Sequence, residues 1–562
     1  MRHAANNIRQ ACKNLDIILV WNKKAKSETI MLTVFTYIVK LAVVCAVCLC
    51  ASCGVLPQRA ADTLYMHLTA EPDTLNPITA TDAYSSSILG HIYETLLERD
   101  RDTLGFKPCL AESYEISVDK TRYIFHLKRD VLWNDGAEFT ADDVVYSYKV
   151  IKDPLVACAQ LKVYYIDIKD CRKIDKYTVE FTYSRPYFLA LEFCGGMPII
   201  PKHIFDDGTD FNSHKNSRFP IGTGPYKFVR WKTGASIELA ANDKYRDAQP
   251  QIKTVVYKVI PEGNVALQML KKGDLDIMSV RTIQWERQTT SDKFTSSFYK
   301  LNYYQPNYSY IGWNARRPFF ADKYVRRAMT MLVNREAILQ KLQFGHGKIV
   351  SGTFYISSPA YDANIKPWPY DPSAAVQLLK SAGWEDTNGD GVLDKDGVDF
   401  SFTMTVPSGA KFSERLAVMI KEDFKKVGIE VSVNRYEWAV FVNKVQAHDF
   451  DAVTMGWSLG YSSDPYQLWH SSQREAGSNY CGFANAEADN IIVAARMEFN
   501  EDKRNAMYRR FHGILHEEQP YTFLFCNPEL VVVSKRFENV IVHTAGLHLE
   551  EWTLADSVQE AI

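Results

Sequence analysis

At 562 residues the chain is too long for one ordinary core, so two or more lobes are expected. Its 65 basic and 67 acidic residues are interspersed, for a formal net charge of -2, and the absence of a long basic run excludes nucleic acid as a partner. Aromatic residues make up 13% of the chain, which suits either a large core or a pocket that grips varied apolar side chains.

Leu41 to Ala51 is an uncharged apolar run behind Lys40, and it ends in Cys50-Ala51-Ser52-Cys53-Gly54. It reads as an export signal over residues 1–52, translated from Met31, that closes on a lipidation site at Cys53. A single membrane-spanning anchor over residues 30–51 is the alternative, in which Lys40 costs about 2.5 to 3.5 kcal/mol near the middle. Both place the bulk of the chain outside the cytoplasm. Beyond Cys53 stand Cys109, Cys158, Cys171, Cys194, Cys481 and Cys526. An even count in an oxidising compartment allows disulfides, with Cys158–Cys171 the preferred pair and buried free thiols the alternative.

Glu71 to Pro77 is extended and broken by two prolines. The apolar spacing then predicts a helix from Ser85 to Arg99 that buries Ile88, Leu89, Ile92, Leu96 and Leu97. Tyr123, Phe125 and Leu127 alternate with Ile124, His126 and Lys128, a period-2 pattern for a strand with one face more strongly buried, Asp135-Gly136 supplies a turn, and Thr140 with Asp143 has the spacing of a capping box. Val144, Val145, Tyr148 and Ile151 form the inward stripe of the helix that follows. Ile221 to Trp231 has turn formers feeding a strand, and Leu267 to Ile277 is a helix ending before Gly273 with a strand after it.

From about Asn314 helices and strands alternate. Asp322 caps a helix with Val325, Ala328, Met329 and Leu332 inward, and Asp371-Pro372 opens another that Gly383 ends. Ser413 to Val427 is helical, Gly428 stops it, and strands follow at Ile429 to Val433 and Asp451 to Trp457. Leu530 to Val533 is a β-rich return.

Several of these runs together carry a resemblance. Arg122 to Tyr148, Ile221 to Trp231, Leu267 to Ile277, Asn334 to Ile338 and Met455 to Pro465 resemble extracellular solute-binding protein family 5, which delivers peptides, and sometimes nickel or oligosaccharides, to ABC importers. The resemblance covers nearly all of the exported chain. It implies an α/β fold of the periplasmic-binding-protein type, with two main mixed lobes, a hinge and an extra domain. The expected division is a lipidated linker at 53–60, domain I at 61–103, 215–314 and 528–562, domain II at 104–214, and domain III at 315–527. Ligand capture would close the lobes about the hinge.

The resemblance also implies a site. Thr81, Ala83 and Tyr84 align with the domain I segment that faces the ligand, and Trp457, Ser458, Leu459 and Tyr461 with the facing strand end, where an extended peptide pairs with main-chain groups. A polar loop capped by Asp82 or Ser85, and a purely structural Trp457, are the plain alternatives. Peptide binders of the family pair the ligand's α-ammonium with an aspartate three residues after this tryptophan, where this sequence has Gly460. Asp464 is the candidate substitute, or else a cap for the turn after it; failing that, the ligand lacks a free amino terminus.

The expected partners are an oligopeptide or other small solute, the permease subunits of an ABC importer, and a membrane through the lipid anchor, with the protein monomeric in the periplasm or cell envelope. An oligosaccharide, opine-like compound or metal chelate on the same architecture is the main alternative. An exported hydrolase would need a nucleophile and a base from distant segments, and the chain is read as no enzyme, with no catalytic residue and no cofactor. Asp386, Asn388, Asp390 and Asp394 recreate part of a calcium loop around Gly391, but Gly397 stands where the bidentate glutamate belongs, so a solvated hairpin is favoured. His512 and His516, at i and i+4 without the H-E-x-x-H order, read as helix-surface histidines.

Overall fold

The computed structural model describes residues 61–475 and 477–555. The export signal, the Met31 start and Cys53 lie outside the described residues. Three sheets organise the rest. A seven-stranded sheet takes strands from three distant stretches, in the order Phe298–Tyr304, Pro528–Ser534, Ile277–Ser279, Thr63–Leu68, Thr254–Val259, Ser236–Ala241 and Tyr226–Lys232. Only the pairings of Thr63–Leu68 are parallel. A four-stranded antiparallel sheet, Ala111–Ile116, Arg122–Leu127, Thr178–Tyr183 and Ile168–Asp175, lies in the first crossover. The five-stranded sheet runs Glu430–Tyr436, Ser401–Pro407, Ala452–Ser458, Asn307–Trp313 and Tyr521–Phe523. Asn307–Trp313 therefore belongs with the later region, seven residues earlier than the expected change of pattern at Asn314.

Local chemistry sets most of these elements. Tyr123, Phe125 and Leu127 are buried on one face of their strand. The Thr140 amide donates to Asp143 Oδ2 at 2.9 Å and the Thr140 hydroxyl accepts the Asp142 amide, which closes the capping box of helix Ala141–Lys152. Asp322 and Asp371 cap their helices more simply, their side chains accepting the Tyr324 and Ala374 amides. Gly273, Gly383 and Gly428 end theirs at φ of 82°, 88° and 78°, where a side chain would be strained.

The helix expected over Ser85–Arg99 stops at Ile92. Tyr93 is extended, and Leu97–Arg99 pairs as a strand with Phe106–Pro108. All five predicted apolar residues are buried, because Leu96 and Leu97 reach the core as well from extended chain as from helix. The stop is tertiary: the amide of Gly224 donates to the Ile92 carbonyl at 2.9 Å. A Cβ on Gly222 would strike that same carbonyl, so the Ile221–Trp231 run needs its glycine there.

The six cysteines described are free and buried, which replaces the preferred Cys158–Cys171 disulfide. Cys158 precedes helix Ala159–Tyr165 with its thiol toward the Ile151 carbonyl, and Cys171 lies in strand Ile168–Asp175. Each thiol is packed as a small apolar group.

His512 does not lie on the helix surface. It is fully buried on helix Glu501–Glu518, with Nε2 3.0 Å from the Ser351 hydroxyl and Nδ1 accepting the Asp362 amide at 3.1 Å. His516 is half-buried, stacked on Trp368 at 5.0 Å with Nε2 2.9 Å from the Lys366 carbonyl. Burial, opposed by Ser351 and Asp362 and aided by His516, holds the His512 pKa down at about 4. The unfolded chain takes up this proton near 6.5 and the folded chain only near 4, so folding stability falls as pH drops through that window. The expected loss is on the order of 3 kcal/mol. Urea titrations at pH 7 and pH 4.5 check it, and His512→Gln should remove that share of the pH dependence.

Among the described residues no helix is long and apolar enough to cross a membrane.

Candidate functional site

Asp82 caps helix Ala83–Ile92 by accepting the Ser85 amide at 2.8 Å. Its carboxylate is thus turned back on its own chain, with Thr81 and Ala83 exposed and Tyr84 half-buried at the helix start. Behind them Gln160 donates Nε2 to the carbonyls of Ile78 and Ala80 at 3.3 and 3.4 Å. That amide ties the Ala159–Tyr165 helix to the loop leading into this segment.

The Ala452–Ser458 strand pairs along its whole length with Asn307–Trp313. On its other edge it meets Ser401–Pro407 only at Ala452 and Val453. From Thr454 onward the sheet splays, leaving the main-chain groups on that edge without a strand partner. A cavity of about 260 Å³ fills the split, walled by Pro407, Phe412, Trp438, Phe441, Met455 and Gly456. The Thr454 hydroxyl is buried beside it with no hydrogen-bond partner.

Trp457 stacks on Tyr480 with ring centroids 6.0 Å apart and planes 19° from parallel. Tyr480, together with Gln160, Val163, Tyr164, Gln446 and Gln467, walls a second cavity of about 630 Å³, within the size range of small-ligand sites. The predicted segments do not wall this cavity themselves; they are linked to it indirectly, one through Gln160, which holds the Ile78 and Ala80 carbonyls, and the other through Tyr480, which stacks on Trp457. Ser458 is exposed at the strand end, and the Leu459 amide donates to the Pro306 carbonyl at 2.8 Å. Residues 456–460 also spell G-x-S-x-G. Ser458 ends a strand and leads into a loop instead of a strand-to-helix elbow, which leaves it without that motif's mechanics.

Tyr461 reaches elsewhere. Its hydroxyl contacts Gln305 Oε1 and lies 3.1 Å from the Thr544 carbonyl. Gly460 is open: a Cβ there would meet only the Ser462 carbonyl at 3.6 Å, so sterics do not require the glycine.

Asp464 is fully engaged. Its Oδ2 accepts the Tyr187 hydroxyl at 2.8 Å and lies 2.9 Å from Arg496 Nε, while Oδ1 accepts the Tyr466 amide at 3.0 Å. The Arg496 guanidinium is sandwiched between the rings of Tyr187 and Tyr466 at 4.6 and 4.4 Å, and also lies 3.7 Å from Asp167. Burial opposes the Arg496 charge, but Asp464 and its neighbours outweigh it and raise the pKa. Burial and the Asp464 charge push the Tyr187 phenol well up. The pair thus joins the 104–214 stretch to the 315–527 stretch, together with a Phe188 amide to Arg496 carbonyl bond of 2.9 Å.

Gln160, Tyr187, Trp438, Tyr480 and Arg496 carry no motif, and the sequence reading passes over them. The only cue is compositional, the aromatic and proline cluster Arg185-Pro186-Tyr187-Phe188. In the calcium-loop candidate, Asp386 accepts the amides of Gly389 and Gly391, Asn388 donates to Asp390, and Asp394 accepts the Thr387 amide. These oxygens close the hairpin. Among the described residues no group of three or more His, Cys, Asp or Glu side chains is placed to hold a metal ion.

The sequence model for bacterial extracellular solute-binding proteins, family 5 Middle, matches residues 105–479. The oligopeptide-binding protein AppA of Bacillus subtilis is 35% identical over 515 residues, covering 89% of this chain and 92% of AppA. The structure of that AppA with a nonapeptide superposes with a TM-score of 0.77 at 34% identity, covering 88% of this chain and 99% of the other. NikZ from Campylobacter jejuni, in complex with Ni(L-His), gives a TM-score of 0.76 at 27% identity with the same coverage.

Proposed function

The chain belongs to the bacterial extracellular solute-binding proteins of family 5, and from that premise we propose that it captures oligopeptides between its lobes and hands them to the permease of an ABC importer. The observation that carries this reading is the splayed edge of the Ala452–Ser458 strand, open from Thr454 beside an apolar cavity. An extended peptide adds to such an edge by main-chain hydrogen bonds, which are indifferent to sequence, while neighbouring cavities take side chains. The 630 Å³ space at Gln160 and Tyr480 suits the second task. We assign Thr81, Ala83, Tyr84, Trp457, Ser458 and Leu459 to the ligand's surroundings, Tyr461 to the junction with the C-terminal stretch, and Asp464 to joining lobes.

The three sheets support a domain I built around the seven-stranded sheet, a domain II around the four-stranded sheet and a domain III around the five-stranded sheet, with 304–307 and 527–528 as crossovers. Binding and release without chemistry, a lipid anchor on Cys53 and a monomeric state complete the reading. One acyl chain holds a membrane only marginally, so retention needs several.

A second reading has a specific observation in its favour. Gly460 offers no carboxylate and Asp464 is already paired, which suits a non-peptide solute such as a sugar or a metal chelate. Denaturing the purified protein and identifying the released small molecule by mass spectrometry separates the two. A mixture of peptides is expected; a single sugar or chelate would replace the peptide by that solute.

A further inference from the structure

We propose that Glu529 supplies the carboxylate that pairs with an ammonium group of the bound peptide; this inference rests on the peptide reading above. Most other acidic side chains near the ligand segments are closely engaged, Asp82 with its own helix, Asp167 with Arg185 and Arg496, Asp464 with Arg496, and Glu192 with Arg99 at 2.6 Å, while Glu475, on the cavity at Tyr480, is exposed and 3.8 Å from Arg316. Glu529 has no cation within ion-pair distance among the described residues, and it is half-buried.

Its position follows from the sheet. Glu529 lies on Pro528–Ser534, directly across from Tyr303. Side chains alternate along that strand, and Glu529 shares a face with Val531 and Val533. Those valines pack into the same core as Ile88, Leu89 and Ile92 of the helix that begins at Ala83. Glu529 is therefore on the face of the sheet that carries the first ligand segment, at the end where the chain crosses to the five-stranded sheet. The crossover is pinned there by Asn307 and Asn527, which exchange two 2.9 Å hydrogen bonds.

Glu529 also neighbours the second segment. Tyr303 lies across from Glu529, and two residues on from it Gln305 meets the Tyr461 hydroxyl. Beside them Gln305 Nε2 is buried without a partner while Oε1 meets the Tyr461 hydroxyl. Turning the amide over lets Nε2 donate to Tyr461 and Tyr461 donate to the Thr544 carbonyl, which satisfies all three and leaves an acceptor where Nε2 stood. A half-buried carboxylate with a phenol and an amide at hand is chemistry for a cation. Burial alone raises the Glu529 pKa, and an arriving ammonium would relieve that cost.

The test uses the purified wild type, Glu529→Gln and Asp464→Asn, each offered three synthetic libraries of short peptides. One is lysine-free with free amino termini, one is the same library N-acetylated, and one is N-acetylated with a single lysine. Retained peptides are quantified by mass spectrometry after gel filtration. The wild type should retain the free-amine library about tenfold or more over the blocked one, Glu529→Gln should lose that preference, and Asp464→Asn, which weakens closure, should retain less of both libraries at an unchanged ratio. Recovery with the lysine library, lost again in Glu529→Gln, would assign the ammonium to a side chain as well as a terminus. A full preference in Glu529→Gln, or none in the wild type, would overturn the role of Glu529 while peptide binding stood. Retention of no library by the wild type would overturn the peptide reading and this inference with it.

Discussion

Asp276→Ala is expected to destabilise the folded chain by about 3 to 5 kcal/mol, the cost of leaving one partner of a buried ion pair alone. Asp276 is fully buried, and its two oxygens lie 2.7 and 2.9 Å from Arg536 Nε and Nη2 in a bidentate pair. Oδ2 also accepts the Tyr65 amide at 2.8 Å. The guanidinium goes on to the carbonyls of Ala61 and Thr63. One pair therefore fastens the first strand of the seven-stranded sheet, the turn before Ile277–Ser279 and the C-terminal return, three stretches with no covalent link nearby. Removing the carboxylate strands a buried guanidinium and frees an amide in the middle of the sheet. Urea unfolding followed by circular dichroism measures the loss. Asp276→Leu with Arg536→Met should lose less than the sum of the single changes, because no charge is then left without its partner. Additive losses would show that the two side chains act separately.

Asp276 sits inside Leu267 to Ile277, a run the sequence marks as a helix, a glycine stop and a strand, yet its partner could not be named from sequence. The reason is general to this chain. Caps and stops are local, so Thr140 with Asp143, Asp322, Asp371-Pro372 and Gly273 are legible from neighbouring residues. Pairings across hundreds of residues leave no local mark. Helix spacing continues from Ser85 through Leu96 and Leu97 to Arg99, and only the Gly224 amide explains the break at Ile92. The burial of His512 leaves no local mark because a helix facing two neighbours has no purely polar side. At the site, Trp457 to Tyr461 and Thr81 to Tyr84 came from resemblance. Gln160, Tyr480 and Glu529 needed the fold, since what matters about each is which distant side chain it meets.

Arg496→Gln is expected to weaken ligand binding on the order of a hundredfold, with most of the change in the dissociation rate. Arg496 and Asp464 are mostly buried, with side chains 15% and 9% exposed, in a site completed by Tyr187, Asp167 and Phe188 from the 104–214 stretch. If the lobes part when ligand leaves, Asp464 gains water and tolerates the loss of Arg496. In the closed form it does not, because the carboxylate is then enclosed with a phenol and an amide but no cation. The penalty falls on the closed state alone, and so appears as lost affinity. Tyr187→Phe tests the same logic more gently: it removes one hydrogen bond to a charged group, about 1.5 to 3 kcal/mol, for roughly a tenfold or greater loss. Calorimetric titration with the peptides released from the wild type gives the affinities, and small-angle scattering shows whether the loaded variants still become more compact. Unchanged affinity with a lowered unfolding midpoint would make the pair a strut within the 315–527 stretch and leave closure to other contacts.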